Sequence, residues 1–251
     1  MGEFNGKVAL VTGGTKGIGR ATVLELCNEG AHTVIASRNA AEGARFIEEL
    51  TSRGLEASYV QADVGSLADI KKMVQEVLHH KGKIDILVNC AGVNIRKPIE
   101  DYHEDDWNYM VDINMKGTFF TCQEVGKSMI ARGIKGAIVN VGSIQNEEVL
   151  PERGIYAGTK GAVKQMTKAF AIEWVKHGIR ANSIAPAFIS TPLVEKVLDD
   201  PQWKQLIISR TPMGRAGKPE EVAHLIVFLC SEKASYITGT NMMIDGGWTA
   251  G

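Results

Sequence analysis

Short apolar runs alternate with longer amphipathic stretches along the whole chain. The runs cover residues 8–11, 33–36, 57–60, 86–88, 137–141, 181–184 and 242–244. Their length and their content of Val and Ile mark strands. Between them, apolar positions recur at helical spacing over about 17–29, 40–53, 66–81, 104–131, 155–177 and 219–230. A strand that is apolar at successive positions must be covered on both faces, and helix-length connections allow its neighbours to run parallel. The pattern therefore predicts an α/β fold: a doubly wound, seven-stranded parallel sheet with helices on both faces.

Punctuation supports these boundaries. Gly30 stands where the first helix should end. Asp63 and Ser66 precede the third, and Ser66 suits an N-cap. Only residues 186–218 break the alternation. This stretch holds Pro186, Pro192, Pro201 and Pro212, and its apolar spacing predicts short helices. An insertion of that kind before the last βα unit reads as a substrate lid, residues 187–218. No repeat or linker appears, so residues 1–251 read as one domain.

Composition narrows the class. A chain of 251 residues with 44% hydrophobic content can fill one large core. A net charge of -1 without a long basic run disfavours nucleic acid and anionic membranes as partners. Charges over 69–83 fit a solvated helix face. The four cysteines and six histidines are scattered, without metal-ligand or disulfide spacing, so no metal is expected. The N-terminus leads into the first strand without a signal segment, and no apolar run nears the ~20 residues of a membrane span. A cytoplasmic protein is the expectation.

The first strand runs into Thr12-Gly13-Gly14-Thr15-Lys16-Gly17-Ile18-Gly19 and then a helix. At such a turn Gly13, Gly17 and Gly19 let backbone approach a pyrophosphate, and the helix start offers unpaired N–H groups. The spacing is wider than in the G-x-G-x-x-G fingerprint. The second strand ends in Ser37-Arg38-Asn39, where an acid would hold a ribose 2′-OH. No acid is present. Arg38 suits a 2′-phosphate, Ser37 adds a hydroxyl and Lys16 a second cation, which favours NADP(H) over NAD(H). Arg38 could equally be a solvated loop residue.

Downstream, Tyr156 and Lys160 are four apart at the start of a helix, on one face. A free phenol, with pKa about 10, is a poor base, and a nearby ammonium would lower that value. The pair makes a proton shuttle for a hydroxyl or carbonyl. Ser143 follows the fifth strand, where open α/β sheets bind ligands.

From about Lys7 to Gly247 these motifs resemble the short-chain dehydrogenase/reductase family, with its Rossmann-type sheet. The resemblance implies Ser143, Tyr156 and Lys160 as the catalytic set, with Asn114 organising a proton-relay water. It implies cofactor contacts from Gly13, Thr15, Lys16, Gly17, Ile18, Gly19, Ser37, Arg38 and Asn39. Further along it implies Asp63, Val64, Asn89, Ala91, Gly92, Pro186, Ile189 and Thr191, besides Tyr156 and Lys160. Cys90 and Ala187 depart from its Asn-Asn-Ala-Gly and Pro-Gly patterns, and alanine takes a positive φ only at a cost. It also implies a homo-oligomer, a tetramer, joined along the helices at 104–131 and 155–177. Trp107, Met110, Phe119, Met129, Met166, Phe170 and Trp174 give those helices more bulk than one face needs, or are all core.

Substrate signals are mixed. Arg96 and Lys97 suit an acid. Gln145, Asn146, Glu147 and Glu148 suit hydroxyls, or the two acids a cationic amine, and Phe188 opens the lid. Each could instead be solvated. Ser143-Ile144-Gln145 resembles the gluconate 5-dehydrogenase branch, and residues 37–39 and 211–219 resemble tropinone-reductase-type members. The expectation is an NADP(H)-dependent oxidoreductase interconverting a ketone and a secondary alcohol on a small polar substrate: a sugar acid, polyol or cyclic ketone. A 3-oxoacyl-[acyl-carrier-protein] reductase and a non-catalytic NADP(H)-binding redox sensor are the alternatives.

Overall fold

The structure, a computed structural model, describes residues 2–192, 194 and 199–251. Its centre is one parallel sheet in the order β3-β2-β1-β4-β5-β6-β7. The strands are β1 Val8–Thr12, β2 His32–Ser37, β3 Ala57–Gln61, β4 Ile86–Asn89, β5 Ala137–Val141, β6 Arg180–Pro186 and β7 Asn241–Ile244. All seven expected strands are present, each within three residues of its expected bounds.

Alternation along β1 shows why its run is continuously apolar. Ala9 and Val11 enter one core layer with Val23, Leu26, Val222 and Ile226. Val8 and Leu10 enter the other with Met73, Val77, Val125 and Phe170. The first layer is covered by α1 (Gly17–Asn28), α2 (Ala40–Ser52) and the last helix, Pro219–Cys230. The second is covered by α3 (Leu67–Lys81), α5 (Thr118–Ala131) and α6 (Gly154–Trp174). Local chemistry ends these helices where expected. Ser66 Oγ accepts from Asp69 N at 3.3 Å, and Gly30 takes a φ of 88° behind α1.

The stretch expected as one helix over 104–131 is instead three segments. A short α4 (Glu104–Met110) passes into a π-helical turn, Val111–Gly117, before α5. Gly117 explains the widening: a Cβ there would lie 2.5 Å from the Val64 carbonyl oxygen, so the chain passes β3's exit loop with backbone alone. The turn carries Asn114 into the interior.

Of the seven bulky residues on these helices, Met110, Met129 and Phe170 are core, and Phe119, Met166 and Trp174 pack partly against it. Trp107 alone of the seven is exposed, joined by Ile99 and Met115, which the expectation omitted.

Over 186–218 the described residues include α7 (Pro201–Arg210), begun by a proline and capped by Asp200. Leu193 and residues 195–198 of the expected lid lie outside the described residues. Ile207 of α7 joins Ile144, Leu150 and Trp248 in a small third core, so this segment rests on the loop after β5 and on the C-terminal turn. No helix among the described residues is long and apolar enough to cross a membrane.

Candidate active site

Strand order reverses between β1 and β4, and the groove opens beyond the C-terminal ends of the strands there. It encloses about 390 Å³ lined by Gly13, Thr15, Lys16, Ser37, Arg38, Asn39, Glu42, Asp63, Val64, Ala91 and Gly92, among others. Gly13, at φ 66°, allows the approach of β1's exit to the next loop: a Cβ there would lie 2.7 Å from Ala91 N. No side chain caps α1 and no acid occupies its first turn, so its leading N–H groups and positive dipole end are left for a ligand.

Not every residue expected on the cofactor faces this groove. A Cβ on Gly19 would lie 2.3 Å from Gly13 O, so this glycine serves the packing of α1 on β1's exit, and Ile18 packs on the core. Gly17 lies against the buried Thr191. Asn89 spends its side chain between strands, donating to Asn140 Oδ1 at 2.9 Å and accepting from Thr12 Oγ1 at 3.3 Å. Asn39 does line the groove, with its side chain also capping α2 by accepting from Glu42 N at 3.1 Å. Ala187, after Pro186, avoids the left-handed region, so its departure from glycine imposes no strain. Ile189 is buried and pairs with Gly217 in a short bridge.

The second half of the site lies beyond β5 and along α6. Lys160 is buried and donates to Val141 O at 2.8 Å. Burial lowers its pKa from 10.5 to about 8. Burial also raises the Tyr156 phenol, against a hydrogen bond from Ser143 and the nearby charge of Arg153, which lower it. Lys160 Nζ lies 5.6 Å from the centre of the Tyr156 ring, and Arg153 adds a second cation nearby. Asn114 clamps the loop after β4, accepting from Val93 N at 2.8 Å and donating to Val93 O at 2.9 Å and Thr159 Oγ1 at 3.2 Å. The two halves meet at Gly92, on the groove wall. A Cβ there would be 3.4 Å from Asn114 Oδ1 and 3.6 Å from Lys160 Nζ, so the absent side chain lets the groove wall pack directly on both polar atoms.

A family model described as enoyl-(acyl carrier protein) reductase matches residues 13–249. A tropinone reductase homolog of Arabidopsis thaliana is 40% identical over 245 residues, 97% of this chain and 92% of that protein. Gluconate 5-dehydrogenase of Gluconobacter oxydans (strain 621H) is 37% identical, covering 98% of this chain and 96% of its own. The chain belongs to the short-chain dehydrogenase/reductase family. It is an NAD(P)-dependent oxidoreductase acting on CH–OH groups. Among solved structures, a gluconate 5-dehydrogenase from Burkholderia cenocepacia J2315, in complex with NADP and tartrate, superposes with a TM-score of 0.95. It is 36% identical, covering 98% of this chain and 96% of that one.

Beside Tyr156 this oxidoreductase has a small cavity of about 120 Å³ lined by Asn94, Arg96, Ser143, Ile144, Gln145, Arg153, Tyr156, Ala187, Phe188 and Val194. Arg96, Gln145 and Phe188 are there as expected. Glu147 is not: it pairs with Lys164 and accepts from Asn241 Nδ2 at 3.2 Å. Lys97 turns away to Asp106 at 2.6 Å. Glu148 holds Arg210 at 2.8 Å and the Trp248 indole N–H at 3.1 Å, tying the loop to α7 and the C-terminus. Gln145 uses its amide oxygen to accept from Leu150 N at 3.0 Å. Arg153 and Asn94 were missed, and so was Glu42 on the groove wall, 2.8 Å from Lys16. Arg153 stands three residues before Tyr156, the one signal available; its burial depends on Trp203, fifty residues away in sequence.

Proposed function

We propose that this protein interconverts a ketone and a secondary alcohol on a small polar substrate, with NADP(H) preferred as cofactor. The observation that carries this reading is that Gly92 on the groove wall packs directly against Asn114 and Lys160, the latter one turn beyond Tyr156 of the small cavity. A dinucleotide in the groove would end against Lys160 and Asn114, beside the cavity that holds Ser143 and Tyr156. The uncapped start of α1 suits a diphosphate. Asp63 and Val64 suit the adenine end, and Arg38 the 2′-phosphate. When bound, the nicotinamide supplies or accepts a hydride. Ser143 and Tyr156 hold the substrate oxygen, and Tyr156 gives or takes the proton. Lys160 holds the ribose of the nicotinamide end, and Asn114 keeps the loop at Val93 in place. The relative crystallised with NADP supports the choice of cofactor.

The test is turnover of NADPH or NADP⁺ against sugar acids, polyols, cyclic ketones and acetoacetyl thioesters. Turnover of a small ketone or alcohol is expected, at least tenfold better with the phosphorylated cofactor. Turnover of thioesters alone would make it an acyl-carrier-type reductase, and cofactor binding without any turnover would leave a sensor.

Residues 187–218 act as the lid over this cavity in the same reading, through Phe188 and α7. Two copies join across the exposed groove of Ile99, Trp107, Met115 and Ile155. A monomeric mass in light scattering at micromolar concentration would refute that assembly.

A further inference from the structure

We propose that the substrate is a short oxo or hydroxy acid whose carboxylate is held by Arg153, with Arg96 as the second arm. The inference rests on the oxidoreductase reading above and narrows its substrate class.

Arg153 is only 5% exposed. A guanidinium keeps its charge in any protein environment, so burying one is costly unless an anion or many acceptors compensate. Its neighbours do not supply them. Pro151 O accepts from one nitrogen at 3.2 Å, and the Trp203 ring lies 4.9 Å from its carbon centre. Arg96 lies over the same ring at 5.7 Å. Burial and the like charge of Arg96 disfavour the Arg153 cation more than Tyr156, Glu152 and Tyr102 favour it.

Nearby cations are treated differently. Lys97 has Asp106, Lys164 has Glu147, Arg210 has Glu148 and Arg215 has Glu221. No carboxylate pairs with Arg96 or Arg153 among the described residues, though both line the cavity that contains Tyr156. Two guanidiniums against one aromatic ring and lining one small cavity are resolved by one shared anion. Carboxylate matches the planar donor fork in a bidentate pair.

Position then limits the ligand. Arg153 directly precedes α6 and Tyr156 lies in its first turn, so the anion sits close to the reacting oxygen. The cavity, about 120 Å³, suits a compact acid rather than a long acyl chain. Glu152, just before Arg153, holds the left-handed backbone at φ 64°, unusual for a non-glycine residue, and its carbonyl accepts from Tyr102 Oη at 3.0 Å and Lys97 N. This backbone is held in place on both sides of the site.

The experiment pairs short oxo acids with their methyl esters, assayed with NADPH at neutral pH. At least one acid is expected to exceed its ester tenfold or more in kcat/KM, mainly through KM. In Arg153→Gln that acid-to-ester ratio should fall to within about threefold, and Arg153→Lys should recover part of it. NADPH affinity reports whether each variant is folded. If Arg153→Gln does not fold, Arg96→Gln must lower the ratio at least severalfold. Esters turned over as well as acids by the wild type, or a ratio unmoved in the folded variants, would overturn the proposal. Absence of turnover on every acid and ester, with turnover of polyols or cyclic ketones, would instead place the substrate elsewhere in the proposed class. Thermal stabilisation by acids but not esters would then still establish the anion site, and its absence would overturn it.

Discussion

At the β2 end of the groove, Arg38 is exposed to solvent and Lys16 rests 2.8 Å from Glu42. Beside Tyr156, Arg153 is 5% exposed, and a second arginine, Arg96, shares the Trp203 ring with it. An exposed ion pair contributes roughly 0–1 kcal/mol, because water and salt already solvate both partners. A buried cation without a paired acid among the described residues carries a desolvation cost that one carbonyl and an aromatic ring offset only in part. The first region can therefore exchange one partner for another at little expense to the fold. The second holds charge for a purpose other than stability. Substitutions should tune the first region and break the second.

Tyr156→Phe tests the second region most severely. The ring still packs, but the transferable proton is gone. The expected result is a loss of ~10²–10⁴-fold in kcat with little change in NADPH affinity. Retention of more than about a tenth of wild-type kcat would remove Tyr156 from the chemistry. Wild-type pH profiles follow from the raised phenol. Reduction, which needs the protonated form, should hold through neutral pH, whereas oxidation should speed up as pH rises towards the phenol's pKa.

Lys160→Met should abolish turnover yet stabilise the unliganded protein. Holding the ammonium down to about 8 costs the native state on the order of 3 kcal/mol at neutral pH. Losing the hydrogen bond that this charged donor makes to Val141 O returns about 2 kcal/mol of that. The sign follows from the two protonation states. Below about pH 8 native and unfolded lysine are both protonated, and the cost is complete. Between there and the unfolded value of about 10.4 the native state loses its proton first, so wild-type stability rises with pH. The advantage of Lys160→Met in urea unfolding should be about 1 kcal/mol at pH 7 and shrink across that window. An equally or less stable variant at pH 7 would mean that the buried lysine is not penalised.

What the sequence revealed divides along the same line. Strands were legible because both faces of β1 are buried, which forces a continuous apolar run. The glycine loop, Ser143, Tyr156 and Lys160 were legible because each motif is local and fixed in spacing. Pairings between distant residues were not. Lys97 and Glu147 looked available for substrate until Asp106 and Lys164 met them in space. Asn89 looked like a cofactor contact until Asn140 took its amide. Arg153 was passed over, since nothing local tells that Trp203 will cover it. The π-helical turn was hidden because one extra residue per turn hardly alters an apolar periodicity, while the cause, Gly117 against Val64, is a tertiary contact.

In the exposed region, Arg38→Asp should narrow or reverse the cofactor preference. The wild type is expected to bind NADPH at least tenfold more tightly than NADH, about 1.4 kcal/mol. An acid removes attraction to the 2′-phosphate and adds repulsion. Fluorescence quenching with both cofactors checks it. Equal wild-type affinities, or a ratio unmoved in the variant, would leave Arg38 a solvated loop residue and NADP(H) without its main support.

The smallest effect concerns Glu42, whose carboxylate lies on the same groove wall as Arg38 and holds Lys16. A dianionic phosphate arriving at Arg38 meets that carboxylate as a like charge. Glu42→Gln removes the repulsion and releases Lys16 to face the phosphate. At roughly 7 Å in water one charge pair is worth about 0.6 kcal/mol, so NADPH affinity should rise about threefold at low salt. The gain should fade as salt is raised, because both groups are near the surface. NADH, lacking the phosphate, should hardly respond. The N-cap of α2 survives the change, since Asn39 accepts from the backbone N of residue 42 rather than from its side chain. The opposite result, weaker NADPH binding in Glu42→Gln, would show that Glu42 positions Lys16 for the phosphate. Pairing at this end would then be as purposeful as the unpaired charge at the other.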